Sequence, residues 1–100
     1  MKSILSLILF GLLTSGLFSQ TGTDVRVTGT VTDMSGMPLP GVNVIVKGTS
    51  TGTSTDFDGL FSLDVPSSST LVFSFLGFQT QEIAVNGAAD LNVQLVEDTS

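Results

Sequence analysis

From Val25 onward the apolar residues fall at every second position, in short runs separated by turn-forming residues. Val25, Val27 and Val31 lie on one face of the first run, and Arg26, Thr28, Thr30 and Thr32 on the other. The same period returns in Val42, Val44 and Val46, in Phe61, Leu63 and Val65, in Leu71, Phe73 and Phe75, and in Leu91, Val93 and Leu95. Alternation carried by β-branched and aromatic residues predicts strands with one buried face. Ile83 and Val85 predict a further strand over 79–85. A weaker one is predicted over 51–55, where threonine favours extended backbone but nothing apolar anchors it.

The breaks between runs are rich in residues that turn a chain. Gly36, Pro40 and Gly41 separate the first run from the second, because proline cannot donate to a ladder and glycine accepts positive φ. Asp56 and Asp58 with Gly59 turn the chain into the run at Leu60, Gly77 punctuates the segment after Phe75, and Asn86-Gly87 closes the next run. Six or seven short strands so spaced predict an all-β fold, a small antiparallel β-sandwich. Phe61, Phe73 and Phe75 are the expected centre of its core, each large enough to bury about 150 Å² or more. The apolar cluster Phe75-Leu-Gly77-Phe78 is expected to be core plus a turn.

The first twenty residues follow a different rule. Met1 and Lys2 give a short positive start, 4–13 is apolar except for Ser6 and Gly11, and small or polar residues follow through Ser19 and Gln20. That order predicts a helical secretory signal peptide over 1–19, cleaved between Ser19 and Gln20. The apolar run is shorter than the roughly 20 residues that a membrane-crossing helix needs, so the mature chain is expected to have no membrane span of its own. Residues 20–25 then read as a polar tether, 26–96 as the sandwich domain and 97–100 as an acidic tail.

Composition narrows the chemistry. The chain has no Cys and no His, so it lacks a thiol nucleophile, an imidazole base and the usual zinc ligands. Nine acidic residues against three basic ones give a net charge of -6. Loss of the leader removes Lys2 and makes the charge one unit more negative. Such a surface repels phosphate backbones, which excludes nucleic acid as an expected partner.

The remaining motifs are weak as sites. Asp56-x-Asp58-Gly59 resembles the opening of a calcium loop, but the glycine comes too early and the later carboxylates are missing. It reads as an ordinary aspartate-glycine turn, and no metal is expected there. Ser67, Ser68, Ser69 and Ser74 have no base beside them in the sequence, so no catalytic residue is expected.

The motifs taken together do resemble a known family. Val27-Thr-Gly-Thr-Val-Thr-Asp33, Gly36-Met-Pro-Leu-Pro-Gly-Val-Asn-Val-Ile-Val-Lys-Gly-Thr49, Gly52-Thr-Ser-Thr-Asp-Phe-Asp-Gly-Leu-Phe61 and Leu71-Val-Phe-Ser-Phe-Leu-Gly-Phe-Gln-Thr-Gln81 occur in order. They are similar to the carboxypeptidase-regulatory-like domain, a transthyretin-like β-sandwich. More narrowly, they resemble the copy at the mature N-terminus of SusC/RagA-type TonB-dependent outer-membrane receptors of Bacteroidetes. The resemblance implies a non-catalytic domain without a cofactor, exported to the periplasmic face of the outer membrane. Its implied partners are the plug and barrel of such a receptor, or the receptor's periplasmic partners. Gly36, Pro40, Gly41, Gly59 and Gly77 match the family's turn positions, and Phe61, Phe73 and Phe75 its core positions. The family commonly has Tyr at Phe75 and Phe78, a departure that removes hydroxyls and keeps the rings. The chain is expected to be the leading fragment or a truncated product of a nutrient receptor. The alternative is a free-standing secreted sandwich that binds a ligand or surface by itself.

Overall fold

Seven strands account for nearly all the regular structure in residues 24–98, the part of the chain that the computed structural model describes. They are β1 (Asp24–Thr32), β2 (Asn43–Val46), β3 (Gly52–Ser54), β4 (Leu60–Pro66), β5 (Thr70–Ser74), β6 (Gln81–Ala84) and β7 (Asp90–Gln94). The leader over 1–19 and the cleavage point at Ser19 and Gln20 lie outside the described residues.

The strands form two sheets, one ordered β4-β1-β7 and the other β3-β2-β5-β6. Their alternation sends one set of side chains inward from each sheet. Val27, Val31, Phe61, Val65 and Val93 come from the first sheet, and Val44, Val46, Leu71 and Phe73 from the second. The rings of Phe61 and Phe73 meet across the sandwich edge to face, with centroids 5.5 Å apart and planes at 70°. Contacts of this kind add to area burial because the positive ring edge meets the negative ring face. The polar partners in the alternation, Thr28, Ser62, Asp64 and Asn92, stay on the outer face.

The structure departs from the sequence expectations in four places. Four of the five strand pairings are antiparallel, but β1 and β7 run parallel, in register from Thr28 with Asp90 to Thr32 with Gln94. The chain passes through the other sheet before β7 and so arrives at the end where β1 began, which leaves only a parallel approach. β1 begins at Asp24, inside the expected tether, because Asp24 and Val25 pair with Pro66 and Val65.

The expected acidic tail is also tied down. Glu97 bridges Phe78, and the Asp98 N–H donates to the Gly77 carbonyl at 2.9 Å. Phe75 lies at the rim of the core, since β5 stops at Ser74 and the Phe75 carbonyl closes a turn by accepting from the Phe78 N–H at 3.0 Å. Its ring packs on Phe78 with centroids 5.8 Å apart.

The weakly predicted strand over 51–55 is present as β3, and a hydrogen-bonded threonine anchors it. Thr55 is buried; its hydroxyl donates to the Leu39 carbonyl at 2.5 Å and accepts from the Val42 N–H at 2.9 Å. Its backbone adds Gly41 N–H to Thr55 O and Thr55 N–H to Val42 O. A buried hydroxyl with both functions satisfied costs little, and here it binds the β1–β2 loop to the β3–β4 loop.

Candidate functional site

Each turn residue singled out in the sequence sits in a connection between strands. Gly36 (φ 89°), Gly41 (φ 81°), Gly59 (φ 74°) and Gly77 (φ 90°) have left-handed backbone, and Pro40 precedes Gly41 in an exposed turn. Gly59 has the tightest surroundings of these four. A Cβ there would lie 2.6 Å from the Val31 carbonyl oxygen and 3.2 Å from the Leu39 nitrogen. The Val31 N–H donates to the Gly59 carbonyl at 2.8 Å, so this glycine carries the end of the β1–β4 ladder.

The two aspartate turns use their carboxylates on backbone. Asp56 Oδ1 accepts from the Asp58 and Leu60 N–H groups, each at 2.9 Å. Asp33 Oδ1 accepts from the Ser35 hydroxyl at 2.7 Å and from the Ser35 and Met37 N–H groups at 2.9 and 3.0 Å. Among the described residues no cluster of three or more acidic side chains is arranged to hold a metal ion. With Asp56 committed to the turn, millimolar calcium is expected to leave the melting temperature unchanged. A rise of several degrees that Asp58→Ala abolishes would overturn this.

The hydrogen bonds to Asp33 hold its carboxyl below the usual aspartate range, the Ser35 hydroxyl contributing most and the Met37 N–H next. A depressed folded value means the stabilisation is complete above the ordinary aspartate range and is lost as pH falls through the folded value. Asp33→Asn should therefore flatten the fall of the urea midpoint between about pH 5 and pH 2. An acid limb as steep as that of the parent protein would refute the assignment.

Among the described residues the serine hydroxyl bonded to a carboxylate is Ser35 on Asp33, and that carboxylate is committed to its own turn. Ser67, Ser68 and Ser69 lie in the β4–β5 turn, Ser74 ends β5, and the carboxylates of Asp56 and Asp64 stand apart in a turn and on the outer face. Asp64 pairs with Arg26 at 3.2 Å, and Arg26 also reaches the Ser62 hydroxyl. A hollow where β1 and β4 pass β3 is lined by Thr28, Thr30, Thr53, Asp56, Ser62, Asp90 and Phe61. It offers acceptors and hydroxyls, with no cationic group.

What the fold presents instead is backbone at the edges of its sheets. Thr28 N–H donates to Ala89 O and Leu95 N–H to Thr32 O, so alternate residues of β7 face β1. Asp90, Asn92 and Gln94 turn theirs outward. Gln81 Nε2 covers the Gln94 carbonyl at 2.5 Å, and the Gln79 N–H covers the Val96 carbonyl at 2.8 Å. On the opposite edge Pro66, which has no N–H, ends β4. The edges are short and partly covered, a pattern that limits unspecific strand addition.

The fold and these surfaces define a small β-sandwich whose connections are built as turns. The same fold occurs in a 3-chlorocatechol 1,2-dioxygenase from Rhodococcus opacus, with a TM-score of 0.58 at 12% identity over 78% of this chain and 61% of that one. A type II cohesin–X-dockerin complex from Acetivibrio cellulolyticus contains a chain similar over 70% of this one and 51% of its own length, with a TM-score of 0.54 and 26% identity.

Residues 27–100 match the CarboxypepD_reg-like domain, and the chain belongs to that family. TonB-dependent receptor SusC of Bacteroides thetaiotaomicron is 46% identical over 98 residues, which is 98% of this chain and 9% of that receptor. TonB-dependent receptor P3 of Formosa agariphila is 43% identical over 99 residues, 97% of this chain and 10% of that receptor. The chain spans about a tenth of the length of these curated relatives.

Sequence reasoning missed Thr55 and Gly29. Thr55 carries no apolar signal. Gly29 interrupts the inward valines of β1 and is obligatory there only because Phe61 and Leu91 crowd it, which a linear pattern does not reveal.

Proposed function

We propose that this chain supplies a non-catalytic interaction domain to a SusC/RagA-type TonB-dependent outer-membrane nutrient receptor. The observation that carries the reading is the similarity of nearly the whole chain to one tenth of such receptors. On this reading the leader over 1–19 directs export and is removed, the sandwich stands at the periplasmic face of the outer membrane, and it acts by contact with the receptor's plug and barrel or their periplasmic partners. Family membership favours contact over catalysis, and among the described residues the one serine hydroxyl bonded to a carboxylate, Ser35 on Asp33, belongs to a turn whose carboxylate also holds the Ser35 and Met37 N–H groups. The test is deletion of residues 24–98 from a receptor that carries the domain. Uptake of the receptor's nutrient should fall while the barrel still inserts in the outer membrane. Uptake at the parent rate on every substrate tried would reduce the domain to a passive appendage.

A further inference from the structure

All the large apolar side chains that stand exposed among the described residues lie at one end of the sandwich. They are Met34 and Met37 in the β1–β2 loop, Phe57 in the β3–β4 loop, Leu60 opening β4, Leu76 in the β5–β6 loop and Val96 just beyond β7. Phe57 is 92% exposed and Leu76 96%. Strand direction explains their meeting, because β1, β3, β5 and β7 finish at this end and β2, β4 and β6 start there. The opposite end consists of 47–51, 67–69 and 85–89, mostly Ser, Thr, Gly, Asn and Ala. The loops of the apolar end are knit into one surface. Gly41 N–H bonds Thr55 O at 3.0 Å, Gln79 N–H bonds Val96 O at 2.8 Å, and Asp98 N–H bonds Gly77 O at 2.9 Å. Two hollows open on it, one between Met34 and Val96 and the other between Pro40 and Phe57.

The same end is acidic. Asp33, Asp56, Asp58, Glu97 and Asp98 lie there, five of the nine acidic residues of the chain. Among the described residues no Lys or Arg is carried by the loops of this end. Arg26 sits near the start of β1, paired with Asp64, and Lys47 lies at the opposite end of β2, paired with Glu82 at 2.8 Å. An exposed apolar surface rimmed by polar groups marks a contact site, and the single sign of the rim selects its partner. A second copy docking end to end would set five acids against five, and an anionic lipid surface would be repelled in the same way. The complementary surface is protein with an apolar centre and a rim of Lys or Arg.

The exit of the chain supplies the location. Residue 98 leaves the fold from this surface, held there by Gly77. Polypeptide that continues from it is kept beside the apolar end at an effective concentration on the order of millimolar. We propose that the end formed by Met34, Phe57, Leu76 and Val96 docks in cis on a basic-rimmed apolar surface of the receptor polypeptide that follows the domain. This rests on the receptor reading above.

The test is a chimera in which residues 24–98 replace the matching domain of the Bacteroides thetaiotaomicron SusC receptor. A photocrosslinking amino acid is placed at Phe57, at Leu76, or at Ser68 on the opposite end, all exposed positions that the core does not use. Crosslinks to the receptor body should form from positions 57 and 76, at segments that carry Lys or Arg, and not from position 68. Raising salt from about 0.1 M to 1 M shortens the Debye length from about 10 to 3 Å and should cut the yield severalfold. The paired change Asp58→Lys with Glu97→Lys should do the same at low salt. Crosslinks from position 68 as strong as those from 57 and 76 would overturn the proposal, as would crosslinks joining two copies or reaching lipid alone. Nutrient uptake is scored separately in the receptor deleted for the domain. Undiminished uptake there, together with crosslinks from 57 and 76, would sink the coupling role and leave the docking surface standing.

Discussion

Phe73→Ala is expected to cost about 3 to 5 kcal/mol and to leave the domain marginally stable. Phe73 has no exposure to solvent, is among the largest fully buried side chains and holds the ring of Phe61 edge to face at 5.5 Å. Removing it empties a volume bounded by both sheets, and strands that also carry ladder hydrogen bonds relax poorly into such a hole. A domain of this size is stable by only about 5 to 10 kcal/mol, so a third or more of the margin disappears. Urea titration followed by far-UV CD measures the effect. Phe75→Ala provides the comparison: the ring is half-buried and touches Phe78 outside the centre, so its loss should cost less than half as much. Equal losses at the two positions would show that the core is centred elsewhere.

Alternation alone made most of this fold legible. It marks which side chains face inward, and Val27, Val44, Phe61, Leu71 and Val93 are buried as their positions predict. It carries no information on which strand lies beside which or in what direction, so the parallel pairing of β7 with β1 was not legible. The same limit explains Phe75, which keeps the period of two after the strand has ended, because the turn at Gly77 takes over one residue earlier than the pattern suggests. The Asp56 turn was legible because its chemistry is local, a carboxylate accepting from N–H groups two and four residues ahead. The apolar end was not. Met34, Phe57, Leu76 and Val96 lie far apart in sequence, and only the strand directions bring them together. The segment Phe75-Leu-Gly77-Phe78 divides accordingly, its two rings half-buried and Leu76 almost wholly exposed. No pattern of residues named a function; the resemblance of whole motifs named a family, and the match over 27–100 bears out that family.

The second large effect is expected at Gly29, where no side chain exists to remove. Gly29 sits in the middle of β1 and pairs with Phe61 of β4 on one side and Leu91 of β7 on the other. A Cβ added there would overlap the Leu91 carbonyl oxygen and come within 2.8 and 2.9 Å of the Phe61 ring. The carbonyl is backbone and cannot swing aside, and Phe61 is held in turn against Phe73. Gly29→Ala must therefore push β7 away from β1 or tilt Phe61 out of its contact, at a cost of about 3 kcal/mol, the upper part of the range for overpacking. Gly36→Ala separates this crowding from ordinary backbone strain. Its Cβ would meet nothing within 4 Å, so it bears only the left-handed penalty at φ 89°, about 1 to 2 kcal/mol. Amide exchange locates the damage: in Gly29→Ala the N–H groups of Leu91, Val93 and Leu95 should lose protection before those of β2 and β5. If β7 stays as protected as in the parent while the whole domain loosens evenly, the strain falls on the Phe61 ring and the parallel pairing tolerates the added methyl.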